Sequence, residues 1–329
     1  MTTSTATAPA AAPTPSAPGL RRRKTPIADT GFRLVALGCG LLVLAILVLI
    51  AVSTTHQALP AFRHAGLHFL TSKVWDPTHG KFGALAFIWG TVLTSLIALV
   101  IAVPVSLGIA LFLAELAPQA LRTPVIYVID LLAAVPSVVY GLWGILILAP
   151  RLNHLYTSIS KGVHGVPVLS TFLAGQDGKS FMTAGLIVAL MITPIVTSLS
   201  REVFATVPRA QKEAALALGA TRWEMMRTSI LGYGRSGVVG AIMLGLGRAM
   251  GETIAVALVI GSFPRISLAL FRSGDAMAAV VANEFGDATG TWRAALIGLG
   301  VVLFALTIVV NAIARVFIGR AEKMGVGGL

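Results

Sequence analysis

Arg248 and Glu252 are the residues whose types and spacing invite chemistry. They stand four apart inside residues 238–263, a stretch that is otherwise uncharged and strongly apolar. On a continuous helix that spacing places both on one face, about a turn apart. Each would cost roughly 2.5–3.5 kcal/mol at a bilayer centre unless paired or hydrated. Two readings follow. One is a neutralising ion pair that locks packing against a partner. The other is a water-accessible route, in which Arg248 offers positive potential and a fork of donors to an oxyanion. In that route Glu252 would orient the guanidinium and keep the empty passage near neutral. Gly245, Gly247 and Gly251 surround the pair. Gly247-x-x-x-Gly251 predicts a seam where a second helix approaches closely.

Upstream, residues 201–235 change from continuous apolar to mixed sequence. Glu213, Ala214 and Ala215, followed by Leu216, Leu218 and Gly219, predict a short amphipathic helix. Gly219 suits a left-handed helix stop. A second short helix is expected from Thr221, with Trp223, Met226 and Ile230 on one side. Such a cornered pair could fit a groove on a partner protein. It could equally be an amphipathic loop on the membrane surface, which its basic residues would also support.

Several soluble-enzyme signatures fail on context. Gly232, Gly234 and Gly237 fit G-x-G-x-x-G, but no strand precedes them and an apolar run follows. Gly178-Lys179-Ser180 resembles the end of a phosphate loop, yet Leu173 stands where the earlier glycine is required. Gly234-Arg235-Ser236-Gly237 offers a serine nucleophile without a base, since His56, His64, His68, His79, His154 and His164 all lie upstream. There is no H-E-x-x-H, and Cys39 is the single cysteine, so no metal is expected. Work done with ATP and its Mg would fall to another chain.

The elements that must position these residues are membrane helices. Hydrophobic residues make up 56% of the 329, and charged residues 12%, against about 25% charged in a soluble domain. Apolar runs fall at residues 34–52, 82–114, 131–150, 180–200, 238–263 and 294–314, with residues 151–180 read as a loop. The prolines Pro104 and Pro194 predict kinks. Residues 1–20 are nearly all Ala, Thr, Pro and Ser, a composition that cannot bury a core. The net charge of +12 is read as membrane flanks rather than nucleic-acid binding. With both termini cytoplasmic, the inside segments hold the larger share of Lys and Arg, as orientation by basic residues requires.

Glu213-Ala214-Ala215, three residues and Gly219 resemble the EAA loop of bacterial ABC-importer permeases. Further on, Leu231 agrees with that family's usual loop exit, while Ser229 and Gly232 depart from it. AAVPSVVYGLWG at 133–144 and RSGVVGAIMLGLGRAMGET at 235–253 resemble the phosphate-specific permease family PstC, over roughly residues 82–317. The resemblance implies an all-α membrane protein of six transmembrane helices, N-in and C-in, with the type I importer (MetI-like) architecture. Its parts would be a cytoplasmic tail (1–32), a first helix with an extracytoplasmic loop (33–81), a five-helix permease core (82–318) holding the coupling loop 201–235, and a C-terminal tail (319–329).

By the same resemblance, Arg248 and Glu252 line the phosphate pathway, and Glu213, Ala214, Ala215 and Gly219 couple to the ATPase. The implied partners are a PstA-like second permease, a PstB-like ATPase dimer that alone binds ATP and Mg, and a PstS-like extracytoplasmic phosphate-binding protein. The alternatives are an ABC permease for another oxyanion such as sulfate or molybdate, a secondary transporter, and an intramembrane protease. The last is disfavoured by the missing base.

Overall fold

In a bilayer every backbone N–H and C=O must find an internal partner, and helices achieve this within one segment. The computed structural model describes residues 27–163 and 165–326, and it is helical through most of that length. Of the tail expected at 1–32, residues 1–26 lie outside the described residues, as does His164, and residues 27–32 belong to the first helix.

The first helix, α1 (Ile27–Ala65), is apolar over Thr30–Ala65. Its side chains are exposed from Thr30 through Ile50, where the first of two structural units ends. The second unit, Ala51–Leu329, contains everything described below. A one-turn helix α2 (His68–Thr71) and a two-residue antiparallel hairpin, β1 (Trp75–Asp76) with β2 (Lys81–Phe82), lead to α3 (Leu85–Leu111), which ends in a π-helical turn at Phe112–Leu116. This agrees with the apolar run expected at 82–114.

The core is built where α3 packs against α8 (Phe181–Ala205). Ile97, Ala98 and Ala102 meet Phe181, Ala184, Ile187 and Ile192, all buried. Gly185 lets the two backbones close: a methyl group there would strike Ile97. Ser106 ties the pair by donating to the Thr193 carbonyl at 3.1 Å.

Between them the expected single run at 131–150 is divided. Helix α4 (Gln119–Ala134) stops at Val135, whose ψ of 128° is extended, and α5 (Ser137–Trp143) restarts after Pro136. Proline disfavours helical geometry in the residue before it. Through a π-helical turn, α5 continues into α6 (Ala149–Gly162), so the membrane-length helix is Ser137–Gly162. Residues 151–162, expected as loop, are therefore helix. A short α7 (Pro167–Phe172) follows, and Ser180 then caps α8 by accepting the Thr183 amide.

After α8 come α9 (Arg209–Ala217), α10 (Arg222–Met225), a π-helical turn, α11 (Leu231–Tyr233) and α12 (Arg235–Gly251). The chain bends 73° between Arg222–Tyr233 and Arg235–Gly251. Next are α13 (Ile254–Val259), α14 (Met277–Glu284) and α15 (Gly290–Val326). Among the described residues five helices have the length and apolarity of membrane spans, or six if the bent pair forms one span. The helix of α15 runs on through most of the expected C-terminal tail.

One carboxylate gathers the segments beside α14. Glu284 accepts from the indole N–H of Trp75 at 3.0 Å and of Trp292 at 3.1 Å. The hairpin, α14 and the start of α15 thus converge on a single oxygen.

Candidate functional site

Helix α12 positions the expected charged residues, and it has two unlike faces. On one face Val238, Ala241, Gly245 and Ala249 are buried. A methyl group on Gly245 would lie 2.7 Å from Val196, and one on Gly237 would lie 2.5 Å from Val203, so these glycines set the contact with α8. On the other face a methyl group on Gly240, Gly247 or Gly251 would meet nothing within 4 Å. The expected seam at Gly247 and Gly251 is therefore not a packing contact within this chain. The close approach is made one residue-row away, at Gly237 and Gly245.

The open face borders a cavity of about 690 Å³. From α12 it is lined by Ser236, Gly240, Met243, Leu244, Gly247 and Arg248, which recur at helical spacing along one stripe. Ile195 of α8 and Asn311 and Arg315 of α15 complete the lining. Arg248 is exposed at one end of the stripe, and among the described residues no Asp or Glu lines the cavity. Among the described residues no carboxylate lies within ion-pair distance of Arg248.

Glu252 is not on the face of Arg248. Helix α12 ends at Gly251, and Glu252 has extended geometry, with φ −67° and ψ 126°. Its Oε1 accepts the Ala255 amide at 3.3 Å, at the start of α13. The spacing of four assumed one continuous helix over 238–263. The local preference of a carboxylate for free N–H groups at a helix start prevails instead. The two residues remain neighbours in sequence, but they serve different elements.

The corner before α12 is formed as the spacing suggests at Gly219, which adopts φ +87° after the last turn of α9. There it has open space around it. Thr221 and Glu224 cap α10 reciprocally, the Thr221 amide donating at 2.8 Å to a Glu224 carboxylate that this bond holds below the usual range. Met225, Met226 and Ile230 are buried with Ala110, Phe204 and Val207. Trp223 does not join them. It is 62% exposed, although Met226, three residues on, is buried. Leu218 is 90% exposed, and Glu213 and Ala214 are exposed while Ala215 is half-buried. The corner thus presents an apolar edge rimmed by Glu213.

Asn311 and Arg315 were not singled out from the sequence. Their spacing of four at the end of the last apolar run is the usable signal.

Residues 106–323 match the family described as binding-protein-dependent transport system inner membrane component. The chain is 44% identical over 310 residues to the phosphate transport system permease protein PstC of Xylella fastidiosa (strain Temecula1), covering 94% of this chain and 96% of that one. It is 43% identical over 303 residues to PstC of Mesorhizobium japonicum, covering 91% and 93%. To PstC 2 of Mycobacterium tuberculosis it is 43% identical over 298 residues, covering 88% and 91%. Among solved structures, a bacterial ABC transporter involved in the import of the acidic polysaccharide alginate superposes with a TM-score of 0.59 at 16% identity, covering 89% of this chain and 98% of that one. At that identity the likeness speaks for the fold. A multi-pass inner-membrane chain with this fold and these relatives belongs to the binding-protein-dependent transport system inner membrane component family, on the branch named PstC.

Proposed function

We propose that this chain is the transmembrane permease subunit of an ATP-driven importer that carries inorganic phosphate across the cytoplasmic membrane. The observation that supports the reading best is Arg248 on the open stripe of α12, facing a roomy cavity without a carboxylate in its lining. A guanidinium in that position can exchange water for phosphate oxygens, to which it offers two parallel donors. Glu252 contributes by ending α12 immediately beyond Arg248 and starting α13, which fixes where along the route the charge is held. Its role is structural as well as electrostatic.

Transport of this kind needs force from outside the chain. The exposed corner at Glu213, Ala214, Ala215 and Gly219 is the surface on which a PstB-like ATPase dimer would press, with ATP and Mg held by that partner. A PstA-like permease would complete the passage, and a PstS-like protein would deliver phosphate from outside. This arrangement has both termini cytoplasmic, residues 33–81 forming the first helix and outer loop, and residues 82–318 the core.

The test is uptake of radiolabelled phosphate by vesicles containing the full assembly. Arg248→Gln should abolish uptake while the variant still co-purifies with the ATPase. Normal uptake by that variant removes Arg248 from the route. Uptake that is competed by sulfate or molybdate but not by excess phosphate reassigns the substrate to another oxyanion.

A further inference from the structure

The cavity beside α12 holds a second guanidinium. Arg315 and Asn311, one turn apart on the same side of α15, line it together with Arg248 and Ser236 of α12. Among the described residues neither arginine has a carboxylate within ion-pair distance. Glu252, the acidic residue nearest to Arg248 in sequence, is absent from the lining and is engaged by the Ala255 amide. Among the described residues the lining therefore carries two fixed positive charges, an amide and a hydroxyl, with no fixed negative charge.

We infer that Arg315 is a second contact for the translocated oxyanion, with Asn311 as a neutral donor beside it. This rests on the phosphate-import reading above and extends it to α15. A tetrahedral dianion has more acceptor positions than one guanidinium fork can fill. Ser236 and Arg248 stand twelve residues apart on α12, about 18 Å along its axis, so the lining offers its donors in succession along the passage. At about 690 Å³ the cavity is far larger than such an ion, so water shares the contacts. Loose, partly hydrated contact suits passage better than retention. The shared chemistry is a phosphate oxygen, and it has two possible sources: the transported ion, or a lipid headgroup at the membrane edge, where the end of α15 would lie.

The experiment compares Arg315→Met, Arg315→Lys and Arg248→Gln in the assembled importer, reconstituted in phosphatidylcholine vesicles with and without phosphatidylglycerol. At saturating loaded receptor, Arg315→Met should lower the phosphate uptake rate about tenfold or more, the scale of a lost charge-assisted hydrogen bond. Arg315→Lys should recover part of it, while receptor-stimulated ATP hydrolysis continues in both and the loss is equal in both vesicle types. An unchanged rate for Arg315→Met overturns the inference, as does a loss confined to phosphatidylglycerol vesicles, which assigns Arg315 to headgroups. Failure of Arg315→Lys to recover any uptake, with assembly intact, overturns it as well. Each of these leaves the importer reading standing if Arg248→Gln is inactive. Normal uptake by Arg248→Gln removes the reading on which the inference rests. If Arg315→Met does not assemble, Asn311→Leu carries the test: a loss of uptake with ATP hydrolysis retained supports the inference, and an unchanged rate overturns it.

Discussion

The ammonium of Lys212, on α9, donates to the carboxylate of Glu115 in the π-helical turn that ends α3, at 2.5 Å. Both side chains are largely shielded, at 20% and 15% exposure. The bond joins the exposed corner to the helix that packs against α8 at the centre of the core, so movement of the corner pulls on the core directly.

Breaking that link should loosen the connection between ATP use and transport. Lys212→Met and Glu115→Gln should each cost roughly 1–3 kcal/mol, the range for a hydrogen bond to a charged group. The double variant should be little worse than either single one. Phosphate taken up per ATP hydrolysed should fall in all three. An unaltered ratio would show that the pair only supports the fold.

The two faces of α12 make opposite demands on its glycines. Gly245→Val should destabilise the protein, because its side chain must enter space held by Val196. Gly247→Ala meets open space, and by helix propensity it should stabilise α12 by up to about 1 kcal/mol. The same methyl group narrows the cavity, so uptake should decline while the thermal midpoint holds or rises. Thermal unfolding in detergent and vesicle uptake, measured on the same preparations, separate the two effects. Equal destabilisation by both variants would contradict the assignment of faces.

Asp275, in the segment between α13 and α14, borders a smaller cavity of about 380 Å³ with Lys179, Asn283 and Glu284. Burial pushes its carboxyl up to about 7; the Ala276 amide opposes the rise and the Glu284 carboxylate adds to it. An unfolded aspartate titrates near about 3.9. The folded state therefore keeps the proton longer than the unfolded one, and stability from the neutral form is present at acid pH and lost as pH rises through about 7. Asp275→Asn preserves an acceptor for Ala276 and cannot ionise. Its advantage in thermal midpoint over the parent chain should be larger at about pH 8 than at about pH 5. A difference independent of pH would refute the account.

How much was legible beforehand depended on the scale of the signal. The runs behind α3, α8 and α15 are long and uncharged, and lipid alone dictates their helicity. Residues 151–162 were misread because an amphipathic helix carries charge on one side, so counting uncharged residues ended the element too soon. Pro136 divides two helices within the run expected as one at 131–150. The site was half legible. Arg248 stood out by its charge, and Gly219 by the turn it permits. The i, i+4 relation to Glu252 failed because helix continuity was assumed. Trp223 is exposed while Met226 and Ile230 are buried, since an apolar residue at helical spacing joins the stripe only where a neighbouring element covers it. Arg315 was missed because membership of a cavity depends on the packing of α8, α12 and α15, a relation between residues far apart in the chain.

The convergence of Trp75 and Trp292 on Glu284 has a mechanical corollary. A hairpin, a short helix and the root of a long one are buckled at one oxygen, so this region is expected to tilt as a single plate. Rearrangement during a transport cycle must then be absorbed elsewhere, and the interruption between Gly251 and Ile254 supplies a joint beside Arg248. The guanidinium would thus ride on the moving side of a hinge while the buckled plate stays whole.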